Sequence, residues 1–400
     1  MTGRGRVVVM VIDGLGVGEM PDRPDEDAGS NTLAHVLEHS GVRLPTLHRL
    51  GIANATTIPG MAPIAAPRGA YGVADLGYPG ADSLLGHQEM MGASATADLR
   101  LLADVRGPVV EALQAAGHQV DDIENASTLI VDGAVMIADN VEAQAGLGIN
   151  VSSSLDFRSF DEILAIGKIV RAAVPVPRVI VAAGRGFGLA DMIANLARRP
   201  SGQVGLDTPG LGMYDTAFQV RHLGVAVAVR HQAPALVAAT GSPVTLIGKA
   251  ADVVQCDCAV LHPAVCTDEI LSHTLACVTD TSSCGGLVVT NVQETDLAGH
   301  EQDPHRFGEV LVRVDRFLPR LLGAMADNDV LIITADHGND PCIGHSQHTR
   351  ERVPVIVAGE KIRPRHLGSR SSLADIAATI TDLLGARSPR QGVSFASSVV

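Results

Sequence analysis

The sequence predicts an α/β fold in which a core sheet flanked by helices carries an inserted smaller α/β domain. Aliphatic runs at 7–12, 244–247, 286–290, 330–334 and 353–357 are each long enough for one buried strand. Helix-compatible stretches separate them, the alternation of a mixed or largely parallel sheet covered by helices. The residues best suited to chemistry fall towards the two ends of the chain. Residues 1–98 and 218–400 are therefore expected to form a discontinuous core, with 99–217 inserted as a second domain.

Run 7–12 opens the core and ends on Asp13, followed by Gly14-Leu15-Gly16-Val17-Gly18. Glycines there let backbone pass close to a metal or a phosphate, although Asp-Gly after a strand is also an ordinary turn. Gly80-Ala81-Asp82-Ser83 sets a hydroxyl in a glycine-flanked turn ahead of a helix, where a serine also serves as an N-cap. Inside the insert, 108–116 and 161–172 read as helices and 129–137 and 178–183 as strands. Gly184-Arg185-Gly186-Phe187-Gly188 lacks the Lys-Ser/Thr of a phosphate-binding P-loop and reads as a loop.

Run 286–290 leads to Asp296 and His300, four apart, with Gly299 permitting a close approach. Helix 306–325 follows, its Phe307, Val310, Leu311, Val314, Phe317, Leu318 and Leu321 at helical spacing. Run 330–334 delivers Asp336-His337 to a strand end, with His348 eleven residues on, and helix 372–384 begins at a capping serine. A carboxylate beside an imidazole, with another imidazole to follow, suits Mn²⁺ or Zn²⁺ better than the oxygen-seeking Mg²⁺. The bland reading of the fragment is a strand end with a capping Asp and a surface His.

Composition narrows the partners. A formal charge of −14 and a pI near 5.4 exclude nucleic acid and anionic membrane as the main partner, since either needs a basic patch. A phosphorylated small molecule stays open, because metal ions and a few arginines reverse the field within one cleft. Six irregularly spaced cysteines fit buried thiols in a reducing compartment, so the expected location is cytoplasmic. Nothing in the patterning specifies an oligomer.

In this order the motifs resemble the phosphopentomutases of the alkaline phosphatase superfamily, with a weaker similarity to cofactor-independent phosphoglycerate mutases. The blocks that carry the resemblance span nearly the whole chain: 11–19, 29–33, Gly86-His87-Gln88-Glu89-Met90-Met91-Gly92, 246–252 and 334–351. The resemblance implies an alkaline-phosphatase-like core with a cap inserted over the metal site. It implies that Asp13, Asp336 and His337 hold one divalent ion and Asp296, His300 and His348 another. Mn²⁺ is the expected ion, with Zn²⁺ or Mg²⁺ as alternatives, and Ser83 is implied as the phosphorylated nucleophile between them.

Departures bear on the substrate. Asp296 precedes His300 by four residues where the family usually spaces the acid by five, which keeps Glu294 as the second candidate. Ala81 stands where the family has Lys. Ile137 and Ala182 fall where a substrate-binding Ser and Arg are expected. Lys249 is retained, and Arg185, Arg198 and Arg199 are the candidates to replace the lost charge. The reading that follows is a two-metal phosphomutase acting within a pentose phosphate or related sugar phosphate through a phosphoserine. A metal-dependent phosphatase or phosphotransferase with a rebuilt pocket is the alternative, and a metal-binding sensor without turnover the third.

Overall fold

Every residue of Arg6–Ile12, Gly286–Val292 and Val330–Thr334 is buried, as strands covered on both faces require. In the computed structural model, which describes residues 5–93, 98–123, 127–213, 217–224, 229–280 and 285–400, these three are neighbours. Arg6–Ile12 lies in the middle and pairs in parallel with both others. The eight-stranded sheet runs Val260–His262, Val244–Gly248, Gly286–Val292, Arg6–Ile12, Val330–Thr334, Val353–Ala358, Ala70–Ala74, His366–Arg370. The first five are parallel, and Val353–Ala358 is antiparallel to both of its neighbours. The three central strands thus end at one edge, where open α/β sheets place their chemistry.

All five expected core strands form, extended by up to two residues, while Ala70–Ala74, Val260–His262 and His366–Arg370 are additions. Helix Pro304–Ala324 is capped by Asp303, whose carboxylate accepts from the amides of His305 and Arg306, with Pro304 in the first turn. Its buried Asp315 in turn accepts from the amides of Thr46 and Leu47, capping helix Pro45–Leu50. The closing helix is Ala374–Leu383, and Ser372 lies just ahead of its N-cap residue while still accepting from the Ala374 amide.

The chain divides into two compact units, Met1–Ser94 with Val227–Val400, and Ala95–Ala226. The second holds a six-stranded sheet in the order Gln219–Gly224, Arg178–Gly184, Gly148–Ser154, Val135–Asp139, Thr128–Val131, Val120–Ile123. Helices Leu102–Ala115 and Phe160–Ala173 cover one of its faces. The expected single strand over 129–137 is corrected to a hairpin. Asp132 and Gly133 both adopt positive φ, 49° and 65°, and turn the chain back on itself. Among the described residues, no helix is long and apolar enough to cross a membrane.

One buried acid links the sheet to the closing helix. Both carboxylate oxygens of Glu89 accept from the Gly77 amide at 3.1 Å, and Oε1 accepts from Ser372 Oγ at 2.5 Å. Burial pushes its carboxyl from the usual 4.5 up to about 7 against the pull of these donors. Below pH 4.5 the folded and unfolded chains both carry this proton. Between 4.5 and 7 the folded chain keeps a proton that the unfolded chain has lost, so stability from this group declines as pH rises. Glu89→Gln is expected to gain on the order of 2 kcal/mol relative to wild type between pH 5 and pH 8. Urea denaturation at the two pH values checks this, and a constant difference would refute it.

Candidate active site

The sheet edge gathers two sets of three ligand atoms, Asp13 with Asp336 and His337, and Asp296 with His300 and His348, each set lying within 4.8 Å. Asp13 follows the central strand and Asp336-His337 the adjacent one. Asp296 and His300 occupy one face of helix Glu294–His300, which begins two residues after strand Gly286–Val292, and His348 returns on the loop after Asp336. The sets adjoin. The rings of His337 and His348 stack with centroids 3.8 Å apart.

The donor set fits cations. His337 Nδ1 lies 3.0 Å from the Gly338 carbonyl, His300 Nδ1 2.7 Å from the Ser346 carbonyl and His348 Nδ1 3.2 Å from the Ala81 carbonyl. A carbonyl only accepts, so each Nδ1 carries hydrogen, which leaves Nε2 as the ring nitrogen available to a metal, the arrangement of a metal-ligating histidine. Those nitrogens face one another and the carboxylates: His348 Nε2 is 3.1 Å from His300 Nε2 and 3.3 Å from Asp296 Oδ1, and His337 Nε2 is 3.5 Å from Asp13 Oδ1. Asp13 Oδ1 and His337 Nε2 are buried without a hydrogen-bond partner. Lone pairs brought together in this way are completed by a cation.

Charge is distributed unevenly across the sets. Burial and the neighbouring Asp336 carboxylate push Asp13 up to about 7. Burial acts the same way on Asp336, but His337 and His87 outweigh it and hold the carboxyl well below the usual range. On Asp296 burial is likewise outweighed, by Lys249, His300 and His348. Burial and the neighbouring His337 lower His348 to about 4, keeping it in its ligating neutral form.

Ser83 is the first residue of helix Ser83–Met90. The N-cap is Asp82, whose carboxylate accepts from the Leu85 amide at 3.0 Å. The serine is thereby released from capping, and its hydroxyl donates to Asp336 Oδ2 at 2.6 Å. Since the Ala81 carbonyl meets His348, the turn that carries Ser83 touches both ligand sets. Any side chain at Gly86 would bring its Cβ to 2.4 Å from the Asp336 carbonyl oxygen, so glycine is what allows this helix onto the strand end.

Lys249, expected to bind substrate, places its ammonium 2.9 Å from Asp13 Oδ2 and 3.4 Å from Asp296 Oδ2, spanning the two sets. Glu294 turns away and accepts from the Thr267 amide at 2.8 Å, leaving Asp296 as the acid in the cluster. The glycines after Asp13 serve a purpose other than direct approach to an ion. A Cβ on Gly16 would fall 2.2 Å from Glu351 Oε2, and one on Gly14 would fall 2.9 Å from Asn339 Cβ.

Three supporting residues were not singled out from the sequence: Asn339 and Arg350 sit inside the 334–351 block, and Tyr78 lies just ahead of Gly80. Asn339 donates to Asp296 Oδ1 at 2.8 Å, and the Tyr78 hydroxyl to the Asp336 carbonyl at 2.7 Å. Arg350 donates to the carbonyls of Tyr78 and Gly80, holding the turn before Ser83.

Arg185, Arg198 and Arg199 all belong to the second unit. Arg185 pairs with Asp156 at 3.0 Å, Arg198 ends strand Leu196–Arg198, and Arg199 donates to the Val141 carbonyl. Ile137 and Ala182, the positions where the resemblance expects a substrate-binding Ser and Arg, lie on opposite faces of the six-stranded sheet. Ile137 packs into the apolar cluster beneath the two helices, and Ala182 into a cluster with Met136 and Ala138 on the opposite face of the sheet.

A family model described as the metalloenzyme superfamily matches residues 5–388. The phosphopentomutase of Symbiobacterium thermophilum is 32% identical over 425 residues, covering 98% of both chains. That of Desulfitobacterium hafniense is 30% identical, covering 99% of this chain and all of the relative. A phosphoglycerate mutase structure from Leishmania mexicana, obtained at low cobalt concentration, superposes with a TM-score of 0.54 at 14% identity over 98% of this chain and 97% of its own, a likeness of fold.

Asp296→Asn exchanges an anionic oxygen for a neutral one and is expected to weaken metal binding at its set by about tenfold or more, whereas Glu294→Gln leaves it unchanged. Titration of the metal-free protein with Mn²⁺ measures both, and the reverse order would transfer the ligand role to Glu294.

Proposed function

The chain belongs to the metalloenzyme superfamily, among its phosphopentomutases, and from that premise we propose that it moves a phosphoryl group between two positions of a pentose phosphate or related sugar phosphate through Ser83. The observation that carries the reading is the Ser83 hydroxyl, freed from capping and donating to Asp336 beside two sets of metal-ligating side chains. We assign Asp13, Asp336 and His337 to one divalent ion and Asp296, His300 and His348 to the other, with Mn²⁺ as the native metal. Bound there, the two ions lower the pKa of a serine hydroxyl and offset the charge of the transferring group.

The chain's own residues do the rest. Asp336 accepts the hydroxyl hydrogen and fixes the direction of Oγ. Phosphorylated Ser83 donates its group to the free hydroxyl of the sugar phosphate. The other phosphate of the resulting bisphosphate then returns to Ser83, so the enzyme ends as it began. Water has to be kept from the phosphoserine throughout, which is the role proposed for the inserted domain as a cap. For the remote phosphate we favour Arg185, whose half-exposed pair with Asp156 is a weak one and can be exchanged for a substrate anion. The free thiols of Cys256, Cys258, Cys266, Cys277 and Cys342 support a cytoplasmic location.

Incubating the Mn²⁺-loaded protein with sugar 1-phosphates and 5-phosphates, while following isomer and free phosphate, tests the reaction. Isomer without phosphate release is expected, and stoichiometric release would make the protein a phosphatase. Ser83→Ala should lower turnover by several orders of magnitude, on the order of 10⁴-fold or more, with metal content retained. A variant that keeps wild-type turnover would remove Ser83 from the mechanism. Arg185→Ala is expected to raise KM for the sugar phosphate by about tenfold, the effect of one lost charge-assisted hydrogen bond, and an unchanged KM would exclude that arginine.

A further inference from the structure

His87 has no part in either ligand set, yet it is fully buried against both Ser83 and Asp336. It lies one turn after Ser83 on helix Ser83–Met90. Its Nδ1 is 2.8 Å from the Ser83 carbonyl oxygen and 3.2 Å from Asp336 Oδ2. Both neighbours are acceptors, so Nδ1 carries a hydrogen and shares it between them. On the far side of the ring, Nε2 is 3.1 Å from the side-chain nitrogen of Asn291, which is buried at the end of strand Gly286–Val292. That amide donates, and Nε2 accepts. A directed chain results, running from Asn291 through His87 to Asp336 Oδ2, the same oxygen that receives the Ser83 hydroxyl.

We propose that His87 is a positioning residue that holds the Asp336 carboxylate in one orientation while Ser83 alternates between hydroxyl and phosphoester, an inference that rests on the phosphoserine reading above. The reasoning concerns hydrogen count. As a hydroxyl, Ser83 donates to Oδ2 and helps to fix it. As a phosphoester its Oγ bonds to phosphorus and has no hydrogen left to give. Apart from His87, the hydrogen-bond donor the carboxylate would then keep is the Gly14 amide, 3.3 Å from Oδ1, so Oδ2 would depend on His87 for its hydrogen bond. His87 Nδ1 still donates to Oδ2 in that state. The imidazole is itself held at Nε2 by Asn291, so the support reaches back to the strand next to the central one. Gly86 adds to this by bringing the helix against the Asp336 backbone. Asp336 is therefore gripped from the same helical turn that carries the nucleophile.

Two substitutions separate this role from simple packing. In His87→Asn the amide nitrogen reaches the place of Nδ1 and can still donate to Oδ2. In His87→Gln the amide falls near the place of Nε2, leaving Oδ2 without its donor. His87→Gln is expected to lower kcat by about 100-fold with KM changed less than about threefold, and His87→Asn to restore kcat to within about tenfold of wild type. Thermal midpoints and Mn²⁺ content of both variants establish that they fold and load metal. A second readout needs no turnover: nitrogen-15 spectra of the metal-free protein should show His87 protonated at Nδ1 and bare at Nε2. Equal loss of kcat in the two variants, wild-type kcat in His87→Gln, or a hydrogen on Nε2 with a bare Nδ1 would each overturn the proposal. A wild-type protein whose Ser83 takes up no phosphate would instead sink the phosphoserine reading, and the spectrum would then decide the hydrogen-bond claim by itself.

Discussion

Three carboxylates with almost no access to water, Asp13, Asp296 and Asp336, meet at one edge of the sheet, and the remainder of the site is arranged around the difficulty of keeping them there. Removing a carboxylate from water costs several kcal/mol unless opposite charge or hydrogen bonds offset it. The protein answers with Lys249 across Asp13 and Asp296, with three imidazoles, and with donors such as Gly14 N, Ser83 Oγ and the Asn339 amide. These measures are incomplete, because Asp13 Oδ1 and His337 Nε2 still lack partners. A deficit of positive charge and a surplus of lone pairs are the two properties that make a metal site from a strand edge.

Rigidity comes from a second layer that has no ligand role. Glu351 accepts from the amides of Gly18 and Thr32 and from the hydroxyls of Thr32 and Thr349, tying the loop after Asp13 to helix Thr32–Ser40 and to the loop that bears His348. Asp340 accepts from Asn31 N and faces His35 Nδ1 at 2.6 Å, fastening the same helix to the segment after His337. Each ligand-bearing loop is therefore bound to another loop as well as to its own strand. This layer explains Gly16, read from the sequence as room for a metal or a phosphate, and Gly338 as well: the Glu351 carboxylate lies against both.

The core was legible because a strand buried on both faces is a continuous aliphatic run, and because a strand end that releases Asp-His has few structural uses. The strands that escaped notice lack that signature. Ala70–Ala74 is short and contains Tyr and Gly, His366–Arg370 is an edge strand with polar residues, and Val260–His262 has only three residues. Asp132-Gly133 is a hairpin signal that the aliphatic residues on both sides concealed. His87 and Asn291 were invisible for another reason. A buried histidine next to a serine four residues earlier in the chain is ordinary, and only the fold brings it to Asp336, far along the sequence, and to Asn291 behind it.

Ile137 and Ala182 show how sharply strand register decides which face a residue serves. Successive residues of a strand point to opposite faces, so an error of one position moves a side chain from a pocket wall into a core. Ile137 stands opposite Val151 and Ala182 opposite Ser152, which puts the two on different sides of the sheet. Most of the proposed metal and nucleophile positions are less exposed to such slips, because Asp13 and Asp336-His337 follow strand ends, Asp296 lies in the first turn of a helix and Ser83 opens another. All seven of them, with Lys249, lie in the unit formed by the two ends of the chain, and Arg185, Arg198 and Arg199 lie in the other. Under the proposed function, a division of this kind would let cations in one unit be exchanged without disturbing the buried charges of the other. Both sets of candidate ligands fall within the first unit, where the cost of burying Asp13, Asp296 and Asp336 is met by Lys249 and the imidazoles of that same unit.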